Sequence, residues 1–387
     1  MIIYNQTWLA NLRLQDQVKD DLDSGLISPE EFKAITQKYL VGFYTPGIFA
    51  RVGMAILTLI AVLFGDGLLA FMAASANIIE SWGFVLFLAM LSYFVLETLT
   101  KQNNYFRAGV DDMLTLIAGC QIVAVFVMMI GNADGFNIAI SFVVLVTSLW
   151  LTIRFSDRLM SAIASCAVLA FIFFVWIQLI PAGLATAPFI MMTASGCLYW
   201  LAGRYAGDAR YINYRDCLYI TQAIALLALY AAGNYFVIQT LSADMAGREG
   251  PVPFGRVFWI WTFVVPFVYI GISVRKKDAM LLRIGLLLIA AAVATFRNYY
   301  HVLPTEIALT IAGSAMLLVA FAIMRYLKVP KHGITTADPD KINSLDRLRV
   351  ESLIVAETFS HAPDAPTDDG TKFGGGSFGG GGSSANF

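Results

Sequence analysis

Two groups of polar residues interrupt the long apolar runs of this sequence, and their types could support binding chemistry. The first group joins an acid in one run with the stretch TFRNYYHVLPTE (residues 295–306), and its members are Asp66, Arg297, Tyr300 and His301. Asp66 would bind a cation or a proton, Arg297 an anionic group, and His301 would tune the pair with pH. The sequence therefore predicts a speculative ligand pocket built by these four residues.

Each member of this first group also has a structural interpretation. Tyr300 fits an aromatic belt at a membrane surface, and Arg297 can extend its charge to the headgroups. Asp66 either lies inside a helix or follows a helix that ends at Phe64, in which case it is a loop residue in water. The sequence leaves both alternatives open.

The second group lies in the stretch ETLTKQNNYFRAGVDDML and comprises Glu97, Arg107, Asp111 and Asp112. These side chains could form an ion-pair cluster that closes one face of the protein. Asp111 and Asp112 open an apolar run, where negative charge suits the positive end of a helix. A paired-carboxylate metal site is the weaker alternative, because adjacent residues on a helix point about 100° apart.

Signatures of enzyme chemistry are absent from the sequence. It contains no GxSxG, HExxH, P-loop or dinucleotide-binding motif. Its four cysteines form no CxxC pair, and two of its three histidines, His332 and His361, follow the last apolar run. We therefore predict no enzymatic activity, no metal site and no cofactor.

Composition places the chain in the membrane. Of its 387 residues, 58% are hydrophobic and 14% are charged, and the mean hydropathy is +0.69. Soluble domains carry about 25% charged residues. Apolar runs long enough to cross a bilayer predict an all-α polytopic transmembrane helix bundle with the lipid bilayer as its partner. The ten predicted spans are 52–74, 82–99, 111–131, 136–153, 159–180, 186–203, 217–238, 256–274, 279–296 and 304–326.

The basic residues orient these spans. Lys and Arg are frequent in the N-terminal segment and in every second loop, whereas the loops AASANIIES, GNADG and PAGLATA contain none. Basic loops stay in the cytoplasm, so both termini are predicted to be cytoplasmic. The first polar group then lies on the outer side and the second on the cytoplasmic side. The net charge of -1 gives no reason to expect a nucleic-acid partner.

Residues 1–47 predict a cytoplasmic helical hairpin. Ser28, Pro29 and Glu31 form the signature of a helix start. The stretch LDSGLISPEEFKAI, with the glycine-spaced first span after it, resembles the opening of a family of bacterial multi-pass membrane proteins of unknown function. The resemblance covers roughly the first eighty residues and implies a bacterial inner-membrane location and no particular activity. A tryptophan that family members often carry soon after the first span has at best a displaced counterpart in Trp82.

Residues 48–327 form the predicted membrane domain, and residues 328–387 form a second cytoplasmic segment. Within this segment, DPDKINSLDRLRVESLIVAETFS predicts an amphipathic helix, and a polar linker follows it. FGGGSFGGGGSSANF cannot build a core and resembles the glycine-rich ends of bacterial envelope proteins. It is either a solvated tail or a glycine- and phenylalanine-rich segment that docks on a protein partner.

Two classes of function remain open at this point. Ten spans with an acid between glycines favour the binding or transport of a small solute, ion or lipid. The scarcity of buried charge favours the alternative, a scaffold or sensor that acts through its hairpin and tail. The first class is the preferred prediction.

Overall fold

A computed structural model describes most of the chain and contains helices but no β-strand within the described part. The described residues are 2–23, 25–74, 78–131, 135–181, 183–246 and 253–299, with the single positions Thr310, Gly313, Ser314, Leu318, Phe321 and Arg325. The tenth predicted span (304–326) lies outside them except for these six positions. The predicted C-terminal segment (328–387), Tyr300 and His301 lie wholly outside them.

The N-terminal segment forms a helical hairpin, as the sequence predicts. Helix α1 covers Gln6–Asp23 and α2 covers Pro29–Lys38. Ser28 and Glu31 form a reciprocal capping box: each side chain accepts a hydrogen bond from the backbone N–H of the other residue. This cap satisfies two amide donors that a helix start leaves open.

Nine further helices in the described part are long and apolar enough to cross a membrane. They are α3 (Ile48–Ala73), α4 (Trp82–Gln102), α5 (Val110–Ile130), α6 (Phe136–Phe155), α7 (Arg158–Leu179), α8 (Gly183–Ala206), α9 (Arg215–Gly233, extended at its start by a 3-10 turn from Ala209), α11 (Gly255–Lys276) and α12 (Ala279–Tyr299). A short helix, α10, covers Tyr235–Ala246. The chain is therefore an integral membrane protein built as an all-α bundle.

Packing follows the chain order. Helices α4 and α5, α6 and α7, α8 and α9, and α11 and α12 pack as neighbouring pairs, and α3 packs on α5. One buried cluster centres on Leu96, Leu114 and Leu151 in the first half of the bundle. A second joins α9, α11 and α12 around Leu226 and Leu288. Many outward residues are apolar because lipid, unlike water, solvates them.

The predicted seventh span, 217–238, is wrong at its end. Helix α9 stops at Gly233, and Asn234 adopts an extended conformation (φ -72°, ψ 126°). The Asn234 side-chain oxygen then accepts hydrogen bonds from the amides of Phe236 and Val237 and starts α10. Apolar residues continue on both sides of Gly233 and Asn234, so mean hydropathy alone does not reveal this break.

Candidate functional site

Ion pairs join the helix ends at the side of the bundle where the hairpin lies, here called the hairpin end. Arg51 on α3 pairs with Asp112 on α5 through two of its nitrogens. Asp216 on α9 accepts hydrogen bonds from Arg107, at 2.8 Å, and from Arg158 on α7. These contacts tie the starts of four helices together, because each carboxylate takes its cation from another element.

A third carboxylate completes this belt of charges. Glu97 on α4 pairs with Lys101 one turn later, at 2.8 Å, and with Arg154 on α6. The side chains of Glu97 and Arg154 are about a quarter exposed. Partly buried pairs of this kind lose more free energy when one partner is removed than exposed pairs do.

Two aspartates bond backbone amides: Asp111 holds the turn before α5, and Asp157 caps α7. Asp111 accepts hydrogen bonds from the amides of Arg107 and Ala108, at 2.7 and 2.8 Å. Asp157 caps α7 and accepts a hydrogen bond from the Met160 amide at 2.7 Å. Burial, followed by the charges of nearby Asp112 and Asp111, raises the pKa of Asp157 to about 6.

The turn before α5 brings these groups close to α3. Gly109 has φ +92°, a conformation that L side chains rarely adopt. A Cβ atom at Gly109 would lie 2.1 Å from the Arg51 carbonyl oxygen. Only glycine permits this approach, which places the Arg51 side chain beside Asp112.

A cavity of about 230 Å³ lies within this charged belt. Its charged lining consists of Arg51, Arg107, Arg158, Asp111, Asp112 and Asp157. Sites for drug-sized ligands usually measure about 300–1,000 Å³, so this cavity suits only a small molecule. The wall of the cavity therefore carries both signs of charge, although its arginines are already paired with Asp112 and Asp216.

The N-terminal segment contributes one residue to the wall of this cavity. Tyr4 lines it and is 7% exposed. The Tyr4 ring makes edge-to-face contacts with Phe43 and Phe106, with centroids 5.9 and 4.9 Å apart. Burial, and then the nearby carboxylates, raise the pKa of the Tyr4 phenol well above its ordinary value, so the phenol stays protonated.

Hydrogen bonds hold the hairpin against the bundle. The Ile3 amide donates to the Arg154 carbonyl at 3.0 Å, and the Tyr44 amide donates to the Asn104 carbonyl at 3.2 Å. Arg13 on α1 donates to the Asn213 side chain at 2.6 Å. The hairpin therefore docks on its own bundle and belongs to the same compact unit.

The second predicted polar group lies at the hairpin end but does not form one mutual cluster. Asp112, Glu97 and Arg107 each take their ion-pair partners from residues outside the group, and Asp111 caps backbone amides. Sequence reasoning did not identify Tyr4, Asp157, Arg158 or Asp216. The basic residues of alternate loops could have indicated this end of the bundle as a charged site, because Arg154 and Arg158 belong to one such loop.

The first predicted group is described only in part. Asp66 lies within α3, so the alternative in which the helix ends at Phe64 is excluded. Its carboxylate accepts a hydrogen bond from Gln121 on α5 at 2.8 Å. Arg297 lies in the last turn of α12, which packs on α9 and α11. The predicted pocket with Tyr300 and His301 falls outside the described residues.

Among the described residues, no three histidine, cysteine or acidic side chains converge as metal ligands would. No family model, curated protein or solved structure matches this chain. The resemblance of the N-terminal segment to a bacterial membrane family therefore stays a prediction.

Proposed function

We propose that this integral membrane protein binds a small polar solute in the hairpin-end cavity and moves it across the bilayer without converting it chemically. The observation that carries the proposal is the cavity of about 230 Å³ with three arginines and three aspartates in its wall. On the orientation predicted from the basic loops, this cavity opens to a bacterial cytoplasm.

The lining favours one class of solute. The lining arginines are already paired, Arg51 with Asp112 and both Arg107 and Arg158 with Asp216. A ligand that separates such a pair must offer a group of each sign, because a separated charge left desolvated and unpaired is costly. A zwitterion presents a carboxylate to Arg107 or Arg158 and an ammonium group to Asp112 or Asp157 within one small molecule. A free amino acid of low volume has this chemistry.

The position of Tyr4 supports transport over simple binding. Tyr4 lines the cavity and is nearly fully buried, so a movement of the N-terminal segment would change the wall of the cavity. Alternating access requires a part of the protein that opens and closes one side of the binding site. The scaffold or sensor alternative is less supported, because apolar residues of the N-terminal segment pack on one another and on Phe106 in the turn before α5.

The test is binding to the purified full chain in detergent or nanodiscs. Glycine and L-alanine are compared with acetate and methylamine, which carry only one of the two charges. We expect the amino acids alone to raise the melting temperature, and Arg107→Gln to abolish this shift. Arg210→Gln is the matched control, since Arg210 pairs with Asp208 but is 81% exposed and does not line the cavity. Equal shifts with all four solutes, or none with any, would contradict the proposal.

A further inference from the structure

A polar pair lies inside the membrane-spanning part of the bundle, away from the hairpin-end cavity. Asp66 lies 15 residues after Arg51 on the continuous helix α3, or about 22 Å along its axis at 1.5 Å per residue. The hydrocarbon core of a bilayer is about 30 Å thick. Asp66 is therefore within the apolar zone, and the Gln121 side chain donates a hydrogen bond to its Oδ2 at 2.8 Å.

Among the described residues, the helices next to Asp66 supply no counter-charge for its ionised form. Helix α3 packs on α5, and the outer end of α4 lies beside it. The other charged residues of these three helices are Arg51, Glu97, Lys101, Asp111 and Asp112. All five lie at the hairpin end, and both cations among them are already paired with carboxylates there.

The hydrogen bonding of Gln121 points to a proton on its partner. A carboxylic acid and a primary amide pair through two hydrogen bonds: the amide N–H donates to one acid oxygen, and the acid O–H donates to the amide oxygen. The first bond is present. Gln121 Oε1 is buried and has no hydrogen-bond partner among the described residues. An ionised carboxylate has no proton to offer this oxygen, whereas a protonated one does.

We propose that Asp66 is a proton-binding site, whose carboxyl holds a proton taken from water and donates it as a hydrogen bond to Gln121 Oε1. The protonated pair joins α3 to α5 by two hydrogen bonds, and the ionised pair by one. Proton occupancy is thereby linked to the packing of α3 on α5. This inference does not depend on the solute proposed for the hairpin-end cavity.

Infrared difference spectroscopy of the full chain in lipid nanodiscs at pH 7 tests the assignment. The spectrum of the unmodified protein minus that of Asp66→Asn is expected to show the C=O band of a protonated carboxylic acid. Gln121→Leu is expected to shift this band to higher frequency, because the acid loses its hydrogen-bond partners. Asp23→Asn is the control: Asp23 is exposed on the hairpin, so its difference spectrum shows carboxylate bands only.

Asp66→Asn is expected to keep the fold. Its amide can accept from Gln121 Nε2 and donate to Gln121 Oε1, as the protonated acid does, so it is expected to melt no lower than the unmodified protein. Carboxylate bands in the Asp66 difference spectrum at pH 7 would overturn the proposal. If the Asn variant does not fold, NMR of protein with ¹³C-labelled aspartate side chains decides the same question. A carboxyl resonance at the protonated position that Gln121→Leu shifts supports the proposal, and its absence overturns it.

Discussion

Replacing Tyr4 by alanine removes the residue that joins the hairpin to the cavity. The Tyr4 ring is 7% exposed and lies in one apolar cluster with Leu9, Phe43 and Phe106. Truncating a buried large aromatic side chain costs about 3–5 kcal/mol. Two edge-to-face ring contacts, each worth about 0.5–1.5 kcal/mol, are part of that loss.

This free energy is a large share of what holds the hairpin in place. Helix α2 has no buried residue, and α1 has only Leu9 and Val18. We therefore expect Tyr4→Ala to open the hairpin locally while the membrane helices stay folded. Each 1.4 kcal/mol is a factor of ten in an equilibrium, so a loss of 3 kcal/mol increases the open fraction by about a hundredfold.

Hydrogen exchange measures this opening directly. The amides of Ile3 and Tyr44 donate to carbonyls of the bundle, so their exchange reports separation of the hairpin from it. Both are expected to exchange about a hundredfold faster in Tyr4→Ala. Tyr39→Ala is the matched control, since Tyr39 belongs to the same segment but is 37% exposed. Unchanged exchange in Tyr4→Ala, or an equal effect in the control, would refute the assigned role of Tyr4.

Two further predictions concern the same end of the bundle. Gly109→Ala should lower the free energy of unfolding by about 1–3 kcal/mol or more, because a Cβ atom there meets the Arg51 carbonyl oxygen in a left-handed backbone. Gly53→Ala, whose Cβ would meet nothing within 4 Å, should have little effect, and equal melting temperatures for the two variants would contradict this. The pKa of Asp157 is raised to about 6, so the folded state binds more protons than the unfolded state between about pH 4 and 6. Its contribution to stability therefore falls as pH rises through that window. Asp157→Asn, which can still cap α7, should flatten this slope in melting curves recorded from pH 4 to 7, and an unchanged slope would show that another group titrates.

Local sequence patterns predicted the membrane helices well. Each of the first nine predicted spans overlaps a long apolar helix, although the seventh runs past the end of α9, because in lipid the backbone of an apolar run must satisfy its own hydrogen bonds. The sequence also predicted the start of α2, because Ser28 and Glu31, which cap it, are only three residues apart. It did not predict the end of α9, because the break at Asn234 depends on a side chain that competes for backbone amides within an apolar run.

These local patterns do not predict which distant residues form hydrogen bonds or ion pairs with each other. The sequence identified Asp66 as unusual, but its partner Gln121 lies 55 residues away on another helix. Asp112 was predicted to share a cluster with Glu97, yet it pairs with Arg51, which precedes it by 61 residues. The packing of the helices decides which charged residues form ion pairs. Hydropathy contains no information about that packing.

The sequence by itself determined that this protein is a bundle of membrane helices with a capped helical hairpin before it. Those features follow from local hydrogen bonding and from the transfer of apolar side chains into lipid, which act over one helix at a time. Only the tertiary structure decided that Tyr4, just before the hairpin, lines a charged cavity at the helix ends. Tyr4, Asp157 and Arg158 meet there because the close approach at Gly109 and the docking of the N-terminal segment bring separate elements to one place.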